Sequence, residues 1–166
     1  MFELAEVKLN EIKELAELAS KIWHEYWTGV ISDGQIDYML DKFQSEKAMT
    51  EQINNENYTY FYIISDGQKA GYIALSDKPD YLFVSKIYIG GGFRHKGLGT
   101  KAFDFIKQYA KKKNYDKIRL TVKKDNINSV NAYLKWGFEI TDAIVTDIGC
   151  GYVMDDYVME YSKLKP

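Results

Sequence analysis

The chain has 166 residues, 22 Lys and Arg against 24 Asp and Glu, a net charge of -2, 46% hydrophobic and 28% charged residues. That is the composition of a globular domain with a real core, which excludes a disordered chain. The near balance of charge excludes a broad field for holding nucleic acid or an anionic membrane.

Cys150 is the one cysteine, so no internal disulfide is expected. Met1 to Asn10 has no signal-type apolar run, and no stretch approaches the ~20 apolar residues of a membrane helix, so a cytoplasmic location is expected. His24, His95 and Cys150 lie far apart, and Thr28 stands where an HExxH motif would need its second histidine, so no metal is expected. No repeat or linker divides the chain, and residues 1–166 read as a single domain.

In chain order, Phe2 to Lys8 reads as a strand. Asn10 is placed to cap a helix running to about Tyr26, with Ile12, Leu15, Leu18, Ala19, Ile22 and Tyr26 on one face. Ser32-Asp33-Gly34-Gln35 is a capping box opening a second helix, and Glu46 to Asn54 reads as a third. Tyr58 to Ser65 and Lys69 to Leu75 are strands joined by the hairpin turn Asp66-Gly67. After Lys78-Pro79-Asp80 comes a strand at Tyr81 to Ile89, a glycine-rich loop, and a helix on Leu98, Ala102, Phe105, Ile106, Tyr109 and Ala110. Lys117 to Lys123 is a strand and Ile127 to Trp136 a helix. Phe138 to Thr146 and Tyr152 to Tyr161 are strands around Gly149-Cys150-Gly151. This order predicts an α/β fold on a mixed sheet.

Ile87 to Thr100 carries the strongest chemical signal: a strand, glycines, then a helix start. Glycines admit a ligand to the backbone, and the first helical amides, lacking intrahelical acceptors, form an anion site with the helix dipole. Arg94 and Lys96 add charge there, whereas Lys86 reads as peripheral. The Walker pattern fails because no Gly-Lys-Ser/Thr occurs. The dinucleotide pattern is met only loosely, as Gly97-x-Gly99-x-x-Ala102, several residues beyond the strand end. The pattern Arg94-x-x-Gly97-x-Gly99 fits, and it resembles motif A of the GNAT superfamily of N-acetyltransferases. Gly91-Gly92 replaces the Pro-acidic pair common in that family. A second stretch, Asn126 through Ser129 and Tyr133 to Gly137-Phe138, is similar to the family's N-x-x-A-x-x-x-Y-x-x-x-G-F, with Ser129 in place of Ala.

The resemblance implies a mostly antiparallel sheet splayed at the fourth and fifth strands, flanked by helices, with acetyl-CoA as co-substrate. Ile87, Tyr88 and Ile89 would carry the strand that pairs with pantetheine. Arg94, His95, Lys96, Gly97, Leu98, Gly99 and Thr100 would hold the pyrophosphate, and Asn126 the pantetheine. Tyr133 would sit beside the sulfur as the acid. With reference values of about 10 for Tyr and about 8.5 for a thiol, full proton transfer is uphill by about 2 kcal/mol, so a hydrogen bond to the departing sulfur matters as well. A backbone amide near Ile89 can stabilise the oxyanion.

The nucleophile must be a neutral amine, which for a Lys-like pKa costs about 4.6 kcal/mol at pH 7. Glu25, Asp33, Asp155 and Asp156 are the candidate proton acceptors. The acceptor amine is expected near the first helices and the last two strands, with Trp23, Glu25, Trp27 and Asp155 as its candidate contacts; carboxylates among aromatic rings suit a cation. The ending Gly151 to Glu160 is similar to that of bacterial diamine or polyamine acetyltransferases of the PaiA type, which makes a small amine the expected substrate. A protein or peptide amine, an amino acid and an aminoglycoside stay open, as does a non-catalytic acyl-CoA-binding role. Homodimers are common in the superfamily.

Overall fold

A computed structural model of the chain describes residues 1–165. The elements are β1 (Phe2–Glu6), α1 (Ile12–Trp27), α2 (Asp33–Phe43), α3 (Glu46–Asn55), β2 (Tyr58–Ser65), β3 (Gln68–Asp77) and β4 (Leu82–Ile89). They continue with α4 (Leu98–Lys112), β5 (Ile118–Lys123), α5 (Ile127–Trp136), β6 (Glu139–Gly149) and β7 (Tyr152–Tyr161). The chain forms two compact units, Met1–Ser76 with Lys86–Ala102, and Asp77–Ser85 with Phe103 onward.

In the first unit β1, β2 and β3 are antiparallel neighbours, and the second half of β4 follows β3. The strands meet α1 and α3 through Ile12, Leu15, Ile22, Met49, Tyr60 and Tyr72, all at most 2% exposed. Each such side chain contributes roughly 1.5–3 kcal/mol by leaving water. The turn at Asp66-Gly67 forms as expected, with φ of 50° and 78°, the left-handed pair that matches strand twist. Ser32 accepts the Gln35 amide at 3.1 Å and opens α2; Ser45 accepts the Ala48 amide at 3.1 Å and opens α3.

The start of α1 differs from expectation. Asn10 is not its cap. A 3₁₀ turn at Leu9–Glu11 precedes the helix, and the Glu11 carboxylate accepts the Lys8 amide at 2.9 Å. That back-bond holds the short segment between β1, which ends at Glu6, and the helix.

Gly71 on β3 is fixed by close approach. A Cβ there would stand 2.1 Å from the Tyr88 carbonyl oxygen and 3.0 Å from the Ile89 Cα. Both are backbone atoms of β4, so no side chain can move aside.

In the second unit β4 runs parallel to β5 over only three residues of each, Leu82–Val84 with Ile118–Leu120. Antiparallel ladders then join β5 to β7 and β7 to β6. The sheet is therefore mixed and mostly antiparallel. Its core is aromatic: Phe103 stacks on Trp136 at 5.0 Å and meets Tyr161 edge-on at 5.2 Å and Phe138 at 5.3 Å. β6 begins at Glu139 and runs to Gly149; Phe138, expected in the strand, is 2% exposed in this cluster instead.

Candidate functional site

The glycine loop of the first unit is held from both sides. The Gly90 amide donates to the Ala70 carbonyl at 2.8 Å, and the Phe93 amide to the Gly90 carbonyl at 2.9 Å. Beyond Arg94 the backbone turns left-handed twice, at His95 (φ 62°) and Gly97 (φ 76°), before α4 begins at Leu98. A Cβ on Gly92 or Gly97 would meet nothing within 4 Å. Among the described residues no backbone carbonyl accepts from the amides of His95 to Thr100; the first bond of the helix is Lys101 N–H to the Gly97 carbonyl, 3.2 Å. Free amides at a helix N-terminus suit an anion, so these residues fit a pyrophosphate.

Arg94 folds back on the strand. Its Nε donates to the Ile89 carbonyl at 3.0 Å, and its guanidinium lies 4.8 Å from the Tyr26 ring centroid. One terminal nitrogen, Nη2, is buried with no acceptor among the described residues. Lys96 is exposed at the loop, its Nζ 5.9 Å from the Phe93 ring.

The end of α1 faces this loop. A Cβ on Gly91 would stand 3.1 Å from a Glu25 carboxylate oxygen, so the Gly-Gly pair leaves room for that acid. Trp23 and Trp27 are 3% and 8% exposed. Their rings lie 6.0 Å apart, with Tyr88 5.6 Å from Trp23 and Tyr26 4.8 Å from Trp27. The tryptophans are thus rigid packing behind the surface, and Glu25 is exposed in front of them.

Lys86 is the residue that sequence reasoning misjudged. It is 5% exposed, because its alternating position on β4 turns it under α2 and α3. Its Nζ donates to the Phe43 carbonyl at the end of α2 (2.5 Å), to Gln52 Oε1 on α3 (3.1 Å) and to the Tyr60 hydroxyl. Gln52 in turn donates to Phe43 O at 3.1 Å and accepts from the Tyr60 hydroxyl at 2.5 Å. No carboxylate lies within ion-pair distance of Lys86 among the described residues. Burial pushes its pKa down to about 7, opposed by the charge of Glu56. Burial likewise pushes Tyr60 well above the ordinary tyrosine range.

In the second unit Asn126 caps α5, its Oδ1 accepting the Ser129 amide at 3.3 Å. Gly137 ends that helix in the left-handed region, φ 106°. Tyr133 is half-buried, its ring 5.4 Å from Trp136 and 5.9 Å from Phe138. On β7 the neighbouring acids diverge. Asp155 is exposed and paired with Lys124 at 2.9 Å. Asp156 is 5% exposed, and burial followed by the charge of Asp155 holds its carboxyl above the usual range.

No group of three or more His, Cys, Asp or Glu able to hold a metal occurs among the described residues. Among the same residues no helix is long and apolar enough to cross a membrane.

Residues 15–138 match the model of the Acetyltransferase (GNAT) family. The chain is 24% identical over 157 residues to the spermidine N(1)-acetyltransferase of Thermoplasma acidophilum, covering 92% of this chain and 95% of that one. Its fold is similar to the crystal structure of PaiA N-acetyltransferase from Thermoplasma acidophilum in complex with coenzyme A, with a TM-score of 0.81, 21% identity and coverage of 98% and 99%. It is also similar to the ribosomal-protein-S18-alanine N-acetyltransferase of Escherichia coli, with a TM-score of 0.72, 14% identity and coverage of 96% and 92%. With the family match spanning most of its length, this chain belongs to the GNAT family of acetyl-CoA-dependent N-acetyltransferases.

Proposed function

We propose that the enzyme transfers the acetyl group of acetyl-CoA directly to a primary amine of a polyamine or a similar small amine. The observation that carries this reading is the match of nearly the whole chain to a spermidine acetyltransferase. Fold alone does not choose the amine, since an enzyme named for a ribosomal-protein alanine shares it.

Acetyl-CoA supplies an acetyl group activated as a thioester. Main-chain groups of Ile87 and Ile89, with Tyr88 between them, pair with the pantetheine arm, and Asn126 adds a hydrogen bond. The amides of His95, Gly97, Leu98, Gly99 and Thr100 hold the pyrophosphate, with the charges of Arg94 and Lys96 beside them. Support for that assignment comes from the lack of backbone acceptors for these amides. Tyr133 gives or shares its phenolic proton with the departing sulfur. Glu25 holds the cationic amine, with Trp23 and Trp27 stiffening the helix end that carries it; Asp155, already paired with Lys124, stays at the surface. Residues 1–166 act as one functional domain. The free cysteine, Cys150, suits a reducing cytoplasm, and a homodimer is proposed from the resemblance alone.

Tyr133→Phe is expected to lower kcat about 100-fold, the ordinary size of a lost general acid, with the affinity for CoA unchanged. Thiol release and calorimetric titration of CoA measure the two quantities. An equal loss of CoA affinity would make Tyr133 a packing residue. A panel of spermidine, diamines and peptides with a free α-amino group tests the substrate class; selective turnover of the peptides would remove the polyamine assignment.

A further inference from the structure

The reaction must strip a proton from an ammonium, and one carboxylate of the second unit is built unlike the others. Asp156 is the only acid among the buried residues described. Side chains alternate along β7, so Asp156 shares a face with Val158 and Glu160. Tyr161, on the other face, packs into the Phe103–Phe138 cluster. Glu160 on the Asp156 face is fully engaged, with Arg119 Nη2 at 2.6 Å and Lys117 at 3.8 Å.

Asp156 has no such partner. Its strand neighbours are Lys123 on β5 and Ile144 on β6. Lys123 is turned to Asp125 at 3.0 Å, and Lys124 to Asp155 at 2.9 Å. Among the described residues no hydrogen bond or ion pair reaches the Asp156 carboxylate. The charged groups near it are therefore Asp155, Lys123 and Lys124, and both lysines are committed elsewhere. Asp156 is thus largely buried without a protein donor, while its carboxylate oxygens are not sealed from solvent, which leaves them open to a ligand's N–H.

We infer that Asp156 is the proton acceptor of the transfer, its carboxylate taking one proton from the bound ammonium so that the amine nitrogen can attack. This rests on the small-amine reading above. The carboxylate becomes a carboxylic acid and later returns that proton to water. The second amine proton ends on the CoA sulfur through the Tyr133 hydroxyl as the carbon–sulfur bond breaks and the amide bond stands formed. Burial and the adjacent Asp155 raise the affinity of Asp156 for a proton, which narrows its mismatch with an amine.

The test is Asp156→Asn, which keeps the shape and removes the base. With spermidine at pH 7, kcat/KM is expected to fall about 100-fold, and the deficit should shrink as the pH rises and the free amine becomes neutral unaided. With trifluoroethylamine, already neutral at pH 7, the change should stay within about 3-fold, and the CoA affinity should not move. Equal losses with both amines, or no loss with either, would overturn the assignment. Should the variant not fold, the wild-type pH profile decides. With spermidine, a limb well below the ~10.4 of a free amine supports Asp156, and a limb at that value, where the amine deprotonates unaided, overturns it. A wild type that acetylates no amine at all would instead remove the functional reading on which this one stands.

Discussion

Lys86→Met is expected to flatten a rise in stability that the wild-type chain shows between pH 7 and pH 10. In the folded chain Lys86 titrates near 7, against 10.5 for a free lysine. Below pH 7 both states carry the proton and the linkage is silent. Between the two values the unfolded chain binds a proton that the folded chain lacks, so stability climbs with pH, and above 10.5 it levels off. At 1.36 kcal/mol per pKa unit, the full span is worth about 5 kcal/mol, and about half of it falls between pH 7 and pH 9. Methionine fills similar volume without the charge. The groups left behind stay satisfied, because Phe43 O keeps Gln52 Nε2 and Gln52 Oε1 keeps the Tyr60 hydroxyl. The variant should therefore be at least as stable as the wild type at pH 6, and should lose that advantage as the pH rises. Urea midpoints of both proteins from pH 6 to pH 9 measure it. A constant difference across that range would mean that Lys86 keeps an ordinary pKa.

Gly71→Ala is the second large effect. Its Cβ would overlap the Tyr88 carbonyl at 2.1 Å, and two hydrogen-bonded strands cannot part locally without losing ladder bonds. A destabilisation of about 3 kcal/mol is expected, the upper range for overpacking. The displaced residues, Tyr88 and Ile89, belong to the strand proposed to pair with pantetheine, so the Kd for CoA should rise at least about 10-fold, or about 1.4 kcal/mol. Urea unfolding and calorimetry read the two effects. A variant within about 0.5 kcal/mol of wild type would show that the two strands are free to separate at that point.

What was legible in the sequence was local. Ser32 and Gln35 specify the start of α2 within four residues, and Asp66-Gly67 specifies its turn through backbone preference alone. The glycine loop was legible because the requirement it answers, free amides at a helix start, is met by contiguous residues. Lys86 was not legible. A lysine in a strand reads as solvated, and its burial depends on Phe43, Gln52 and Tyr60, which the fold brings to it from three other segments. Gly71 reads as an ordinary strand glycine until β4 lies across it. Asp155 and Asp156 look equivalent in sequence, and the strand's alternation separates them into an ion-paired surface acid and a buried unpaired one.

The proposed reaction is acetyl transfer from acetyl-CoA to a small amine. Incubation with acetyl-CoA and spermidine, followed by thiol titration and mass analysis of the amine, tests it most directly. One molecule of N-acetylated spermidine is expected for each CoA thiol released. Tight CoA binding with no acetylated product from spermidine or any other amine would contradict it, and would make the chain an acyl-CoA-binding module.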